Sequence, residues 1–247
     1  MKVIGVYNIK GGVGKTATAV NLAYLAAAEG NRTLVWDLDP QAAATFYFRV
    51  KPKVKGGGKA LVEGKRALDA AVKGTDFENL DLLPADFSFR NLDLALEDAK
   101  QPTKRLSRLL QPLSREYDYI FLDCPPSISL VSENIFMASD AILAPMIPTT
   151  LSARTLDQLL AFLQGHAQLD KLRVLPLFTM VDRRKRLHLD LLERPPGRPA
   201  DRLDTHIPYA SDVEQMGIHR QPLPAYAPSG AAAKAYHVLW DEIKRKL

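Results

Sequence analysis

Residues 10–16 read KGGVGKT. Glycines interleaved with lysines and closed by a hydroxyl residue are the materials of an anion trap. Gly11, Gly12 and Gly14 let the backbone approach a phosphate closely and adopt dihedrals that other residues avoid. Val13 lies inside the loop and Ala17 just after it. Lys15 is spaced to reach the β- and γ-phosphates, and Thr16 to place its hydroxyl on Mg²⁺. The chemistry implied is binding and hydrolysis of a nucleoside triphosphate. The common pattern G-x-x-x-x-G-K-[ST] is not fully met, because Ile9 stands at its first glycine and a second lysine, Lys10, follows. Two acidic stretches complete the set. The apolar run 33–37 leads into Asp37, Leu38, Asp39, Pro40 and Gln41, and the run 118–123 ends in Asp123, followed by Cys124, Pro125 and Pro126. A carboxylate at a strand end beside the loop can hold a water on Mg²⁺, a role for Asp123. A second can orient the attacking water, a role for Asp39.

Such residues need strands that end together and a helix that begins at Lys15. Residues 3–7 (VIGVY), 33–37 (TLVWD), 80–84 (LDLLP), 118–123 (DYIFLD), 141–144 (AILA) and 172–180 (LRVLPLFTM) predict strands. An alanine-rich helix is predicted from about Lys15 to Glu29, closed by Gly30. Leu156, Leu159, Leu160 and Leu163 recur on one helix face. Apolar strands alternating with helices imply an α/β fold: a doubly wound, largely parallel sheet of seven or eight strands with helices on both faces. Loops at the strand carboxyl ends then share one edge, where ligands bind. The stretch 51–66 holds six Lys/Arg, one acid and four glycines and reads as a mobile basic loop, and 194–200 (RPPGRPA) as a second break.

The chain has 247 residues, 47% hydrophobic and 25% charged, which fits one P-loop domain over 1–247. The single cysteine excludes an intrachain disulfide and a multi-thiolate metal site, and a reducing cytoplasm is expected. No signal peptide and no membrane-spanning run of ~18 residues is expected. The net charge of +5 and pI of about 9.2 favour an acidic partner such as nucleic acid.

KGGVGKT at 10–16, DLDPQ at 37–41 and YIFLDCPP at 119–126 together resemble the ParA/MinD superfamily of deviant-Walker-A ATPases. PMIPTTLSARTL at 145–156, TMVD at 179–182, THIP at 205–208, QPL at 221–223 and SGAAAKAY at 229–236 extend the likeness over nearly the whole chain. The resemblance implies that ATP and Mg²⁺ are the cofactors and that two copies sandwich ATP as a homodimer. It implies that Lys10 is the signature lysine reaching the partner's nucleotide, and that Lys15, Lys10 and Asp39 carry hydrolysis. It places Thr16, Asp37 and Asp123 around Mg²⁺, and Met180, Asp182, Pro208 and Tyr209 near adenine. Turnover is expected to be slow until a ParB-like or other cargo adaptor completes the site. The expected role is partition or positioning of DNA or another cargo, on the nucleoid. The amidating enzymes of cobyrinic acid are a metabolic alternative; no glutamine amidotransferase domain is recognisable. The arginines common after the late Ile-Pro are replaced by Tyr209 and Asp212, and Ala17 stands where Thr or Ser is common. Strand one starts at residue 3, so no N-terminal operator-binding helix-turn-helix is expected.

Non-specific DNA binding requires clustered cations. Arg183, Arg184, Lys185 and Arg186 form one cluster, with Arg194, Arg198, Arg202, Arg220 and the tail Lys244, Arg245 and Lys246 as additions; 51–66 is a second surface. A MinD-like membrane alternative rests on Tyr236, Leu239, Trp240, Ile243 and Leu247 along one face of the last helix. Core packing is the ordinary role of such a stripe. Asp241 and Glu242, four residues before Arg245 and Lys246, predict a mixed-charge outer face. Cys124, Trp36 and Trp240 read as structural.

Overall fold

A computed structural model describes residues 1–64, 68–166, 169, 172–195 and 201–247. Lys65, Arg66, Arg198 and most of the 194–200 break therefore lie outside the described residues. In chain order the first half forms β1 (Lys2–Val6), α1 (Lys15–Ala28), β2 (Thr33–Asp37), α2 (Ala43–Tyr47), α3 (Gly57–Val62), β3 (Lys73–Gly74), β4 (Leu80–Leu83), α4 (Leu92–Glu97) and α5 (Arg105–Leu110). The second half forms β5 (Tyr119–Asp123), α6 (Leu130–Ala138), β6 (Ala141–Met146), α7 (Thr150–Gln164), β7 (Arg173–Phe178), α8 (Arg186–Glu193), α9 (Ser211–Glu214), α10 (Met216–His219), α11 (Leu223–Tyr226) and α12 (Ala231–Lys246).

The strands form one sheet in the order β3-β4-β2-β5-β1-β6-β7, all parallel except the two-residue β3. Strands buried on both faces need no polar alternation, which is why TLVWD and AILAPM read as near-continuous apolar runs. Successive side chains still divide between the faces. Val3, Leu34, Trp36, Ile120 and Leu122 belong to one core cluster with α4, α5, α6 and α7. Ile4, Val6, Val35 and Phe121 belong to the other, with α1 and α12. Helix α1 is buried almost all round, and its alanines let it lie close against the sheet and α12. Gly30, at φ +87°, ends it, with its N–H on the Ala27 carbonyl and that of Asn31 on Ala26.

Two regions depart from expectation. The described part of the basic stretch, 51–64, is not a mobile loop: Val54, Leu61 and Val62 are buried, and six of its residues form α3. Glu242 is not on an outer face. It is buried, and its carboxylate accepts the N–H groups of Asp204 and Thr205 at 2.7 and 3.0 Å. The apolar stripe of α12 packs as a core face, with Tyr236, Leu239, Trp240 and Ile243 at most 1% exposed. Among the described residues no helix is long and apolar enough to cross a membrane.

Candidate nucleotide site

β1 lies between β5 and β6, so the sheet order reverses at its carboxyl end, and the glycine loop leaves the sheet there. Gly12 and Gly14 have φ of +72° and +86°, which glycine alone adopts without strain. Gly11 has no positive φ, so its part in the loop is not a matter of unusual dihedrals. Helix α1 starts at Lys15, aiming its free N–H groups into the loop.

Two long-range and two local hydrogen bonds fix this loop. Asn8, buried after β1, donates its side-chain amide to the Pro145 carbonyl at 2.8 Å, and its Oδ1 accepts the Lys10 N–H at 2.8 Å. Thr179 Oγ1, just past β7, donates to the Val13 carbonyl at 2.8 Å. Lys15 Nζ donates to the Lys10 carbonyl at 3.1 Å. Burial pushes the Lys15 ammonium below its usual range, while Asp123, Cys124 and Asp39 pull it back. The Lys10 backbone is thus held at both ends, yet its ammonium has no partner among the described residues.

Asp37 and Asp123 are register neighbours at the ends of β2 and β5, both fully buried. Asp37 is engaged: its Oδ2 accepts the Thr45 N–H and O–H at 2.8 and 2.7 Å, and its Oδ1 accepts the Asp39 N–H at 3.3 Å. Burial raises its carboxyl to about 6 despite those bonds. Neither oxygen of Asp123 has a hydrogen-bond partner among the described residues. Burial first, then the neighbouring Asp37, push this carboxyl well above the usual range; the Thr16 hydroxyl and Lys15 act the other way. A buried acid with two unsatisfied oxygens beside a threonine hydroxyl is a hard-oxygen donor set suited to Mg²⁺ and its waters. Asp39 is half-buried, with Oδ1 accepting the Gln41 N–H at 2.9 Å. Cys124 is buried and donates to the Leu122 carbonyl, consistent with packing.

Met180, Pro208 and Tyr209 line one cleft with Thr179, and Val181 and Pro208 pair as a β-bridge. Asp182 does not line it. It forms paired bonds to Arg184 at 2.9 Å, which hold its carboxyl far below the usual range. Arg183, Arg184, Lys185 and Arg186 are all exposed, but Arg186 also pairs, with Asp190 at 2.9 Å. Arg220 is engaged elsewhere. Its Nε donates to the Phe46 carbonyl at 3.1 Å and its guanidinium lies over the Phe46 ring, while Arg49 donates to the His219 carbonyl at 3.0 Å.

Asn8 and Thr45 are site residues that the sequence did not disclose; Thr179 lay within the TMVD stretch, but its tie to the Val13 carbonyl was not disclosed. Asn8 left a weak signal, as an Asx-turn former two residues before Lys10.

Comparison with known proteins agrees with this geometry. A family model described as "AAA domain" matches residues 1–173. The sporulation initiation inhibitor protein Soj of Bacillus subtilis (strain 168) is 34% identical over 98% of each chain. A plasmid partition protein of Borrelia burgdorferi B31, solved bound to AMPPNP, superposes with a TM-score of 0.84 at 25% identity, covering 100% of this chain and 99% of its own. Cobyrinic acid a,c-diamide synthase of Mycobacterium smegmatis, solved with ADP and magnesium, gives 0.79 at 26%, covering 99% and 94%. Phosphate loop, strand-end aspartates and full-length relatives agree, and the chain belongs to the ParA/MinD-type family of P-loop ATPases.

Proposed function

We propose that this protein is a positioning switch: two copies close over ATP and Mg²⁺, hydrolyse slowly, and separate, moving DNA or another cargo in the cytoplasm. The observation that carries the reading is Lys10. A lysine whose backbone is fixed on both sides, and whose ammonium has no partner among the described residues, is suited to neutralise phosphate charge on a second copy. Gly11 to Thr16 would cradle the phosphates, Lys15 would reach the β- and γ-oxygens, and Thr16 with Asp123 would hold Mg²⁺. Bound there, the metal would supply positive charge against that of the phosphate oxygens. Asp39 orients the attacking water. Asp37, engaged by Thr45, fixes the loop that carries Asp39. Met180, Pro208 and Tyr209 frame the base.

The partition proteins among the relatives support this reading over the amidating one, for which the buried Cys124 offers no accessible thiol. The buried stripe of α12 leaves that face unavailable to a lipid surface. A ParB-like or other adaptor is the expected stimulator, and non-specific duplex DNA the expected track.

Mass in solution tests the switch. Asp39→Ala with ATP is expected to accumulate as a dimer, and Lys10→Ala to bind ATP but neither dimerise nor hydrolyse. An Asp39→Ala protein that binds ATP and stays monomeric overturns the reading.

A further inference from the structure

The stretch between α2 and the 3-10 turn at Phe87–Asn91 carries Lys51, Lys53, Lys55 and Lys59, all exposed. Its backbone is pinned. The Val54 N–H donates to Asp86 Oδ2 at 2.8 Å, and the Gly58 N–H to Ser88 Oγ at 2.8 Å. Asp86 Oδ1 in turn accepts the Ser88 N–H and O–H at 2.9 and 2.6 Å. The Lys53 N–H returns to the Lys51 carbonyl, and that of Gly57 to Val54. Gly57 has φ +66°, and a β-carbon there would stand 2.6 Å from Ser88 Oγ.

Charge use separates this stretch from the arginine cluster. Lys59 meets Glu63 at 4.0 Å and Lys53 lies close enough to Asp86 to lower its carboxyl, but none of Lys51, Lys53 and Lys55 forms an ion pair within 4.0 Å among the described residues. In the other cluster Arg184 and Arg186 are both spent on nearby carboxylates. No exposed large apolar side chain lies within 50–64; Val54, Leu61 and Val62 face inward.

We infer that Lys51, Lys53 and Lys55 form the principal contact of this protein with the phosphate backbone of duplex DNA. The inference rests on the DNA-track reading above and assigns it a place. Three ammonium groups on a backbone already ordered by Asp86 and Ser88 lose little further chain entropy on binding. They present point charges with no planar fork or amide to read base edges, which suits sequence-independent contact. A lipid surface would be gripped more firmly by an apolar anchor, which this stretch lacks.

The test compares full-length wild type with Lys51→Ala/Lys53→Ala/Lys55→Ala and with Arg183→Ala/Lys185→Ala. Each is titrated with random-sequence duplex DNA across a salt series in the presence of ATP. The slope of log affinity against log salt should flatten by about 0.9 for each lysine lost. The arginine-cluster variant should change it less, and the triple Lys→Arg variant should restore it. Thermal midpoint and DNA-free ATP hydrolysis should match wild type, since none of the three touches the nucleotide loop.

An unchanged slope in the triple alanine variant overturns the inference. So does a slope carried wholly by Arg183 and Lys185, or a loss confined to phosphatidylserine vesicles with DNA binding intact. A wild type that binds no DNA at any salt overturns the underlying DNA reading instead, and is told apart by that.

Discussion

The carboxyl ends of β2 and β5 carry the same residue at the same depth, in register with each other, and with opposite hydrogen bonding. Asp37 is surrounded by donors from Thr45 and Asp39. Asp123 has none. A buried carboxylate with donors is part of the scaffold, because its desolvation is offset by hydrogen bonds. One without donors is tolerated only where it does something else. The difference separates an aspartate tied into the strand-end loop from one whose oxygens have no hydrogen-bond partner among the described residues.

Removing Asp123 should give the largest effect. If Asp123 holds the metal as proposed, Asp123→Asn is expected to lower single-turnover ATP hydrolysis by about 100-fold. The same change should leave the nucleotide-free thermal midpoint unaltered or raise it, because the buried ionisable group set against Asp37 is gone. A normal rate would remove the functional half of the contrast.

Acidity sharpens the other half. The Asp37 carboxyl stands at about 6 in the folded chain against 3.8 when unfolded, so the folded state keeps the proton longer. Its contribution to stability is complete below about pH 4 and is lost as pH rises through about 6. A shift of about two units corresponds to about 3 kcal/mol at most. His188 and His206, both pushed down chiefly by burial, act in the opposite direction over part of this range. The quantity to read is therefore the difference in unfolding free energy between wild type and Asp37→Asn without nucleotide. It should fall by up to about 3 kcal/mol between about pH 4 and pH 7. A flat difference would mean that Asp37 is not held protonated by burial.

Thr45→Val gives the smallest expected effect. It removes one donor from Asp37 and the acceptor for the Ala85 N–H, at about 1–2 kcal/mol in urea unfolding. Nucleotide affinity should hold while turnover drops, because the Asp39 loop loosens and the phosphate loop does not. Equal losses in both would merge the two strand ends into one unit.

Much of this was legible in the sequence because it is local. The spacing within 10–16 requires a loop between strand and helix, and the apolar runs before Asp37 and Asp123 bring both to one edge. What was illegible depends on partners far along the chain. Asn8 with Pro145, and Thr179 with Val13, join residues 137 and 166 apart. Glu242 was misread because a helical pattern of charge assumes that charge faces water; here two backbone N–H groups draw it inside. The 51–66 stretch misled for a related reason. Glycine and lysine signal mobility by composition, whereas Asp86 and Ser88 supply the order from a different segment. The strand-end contrast lay between these cases: both aspartates were visible, but Thr45, which makes them unequal, was not.

Arg49 and Arg220 reach across to carbonyls 170 and 174 residues away. On a ribosome this becomes an order of events. The ties on the glycine loop, through Asn8 and Thr179, are available once residue 179 has emerged. The clasp on α2, the helix that follows Asp39, must wait for residue 220. Of these two sets of ties, the clasp on α2 is the later to become available.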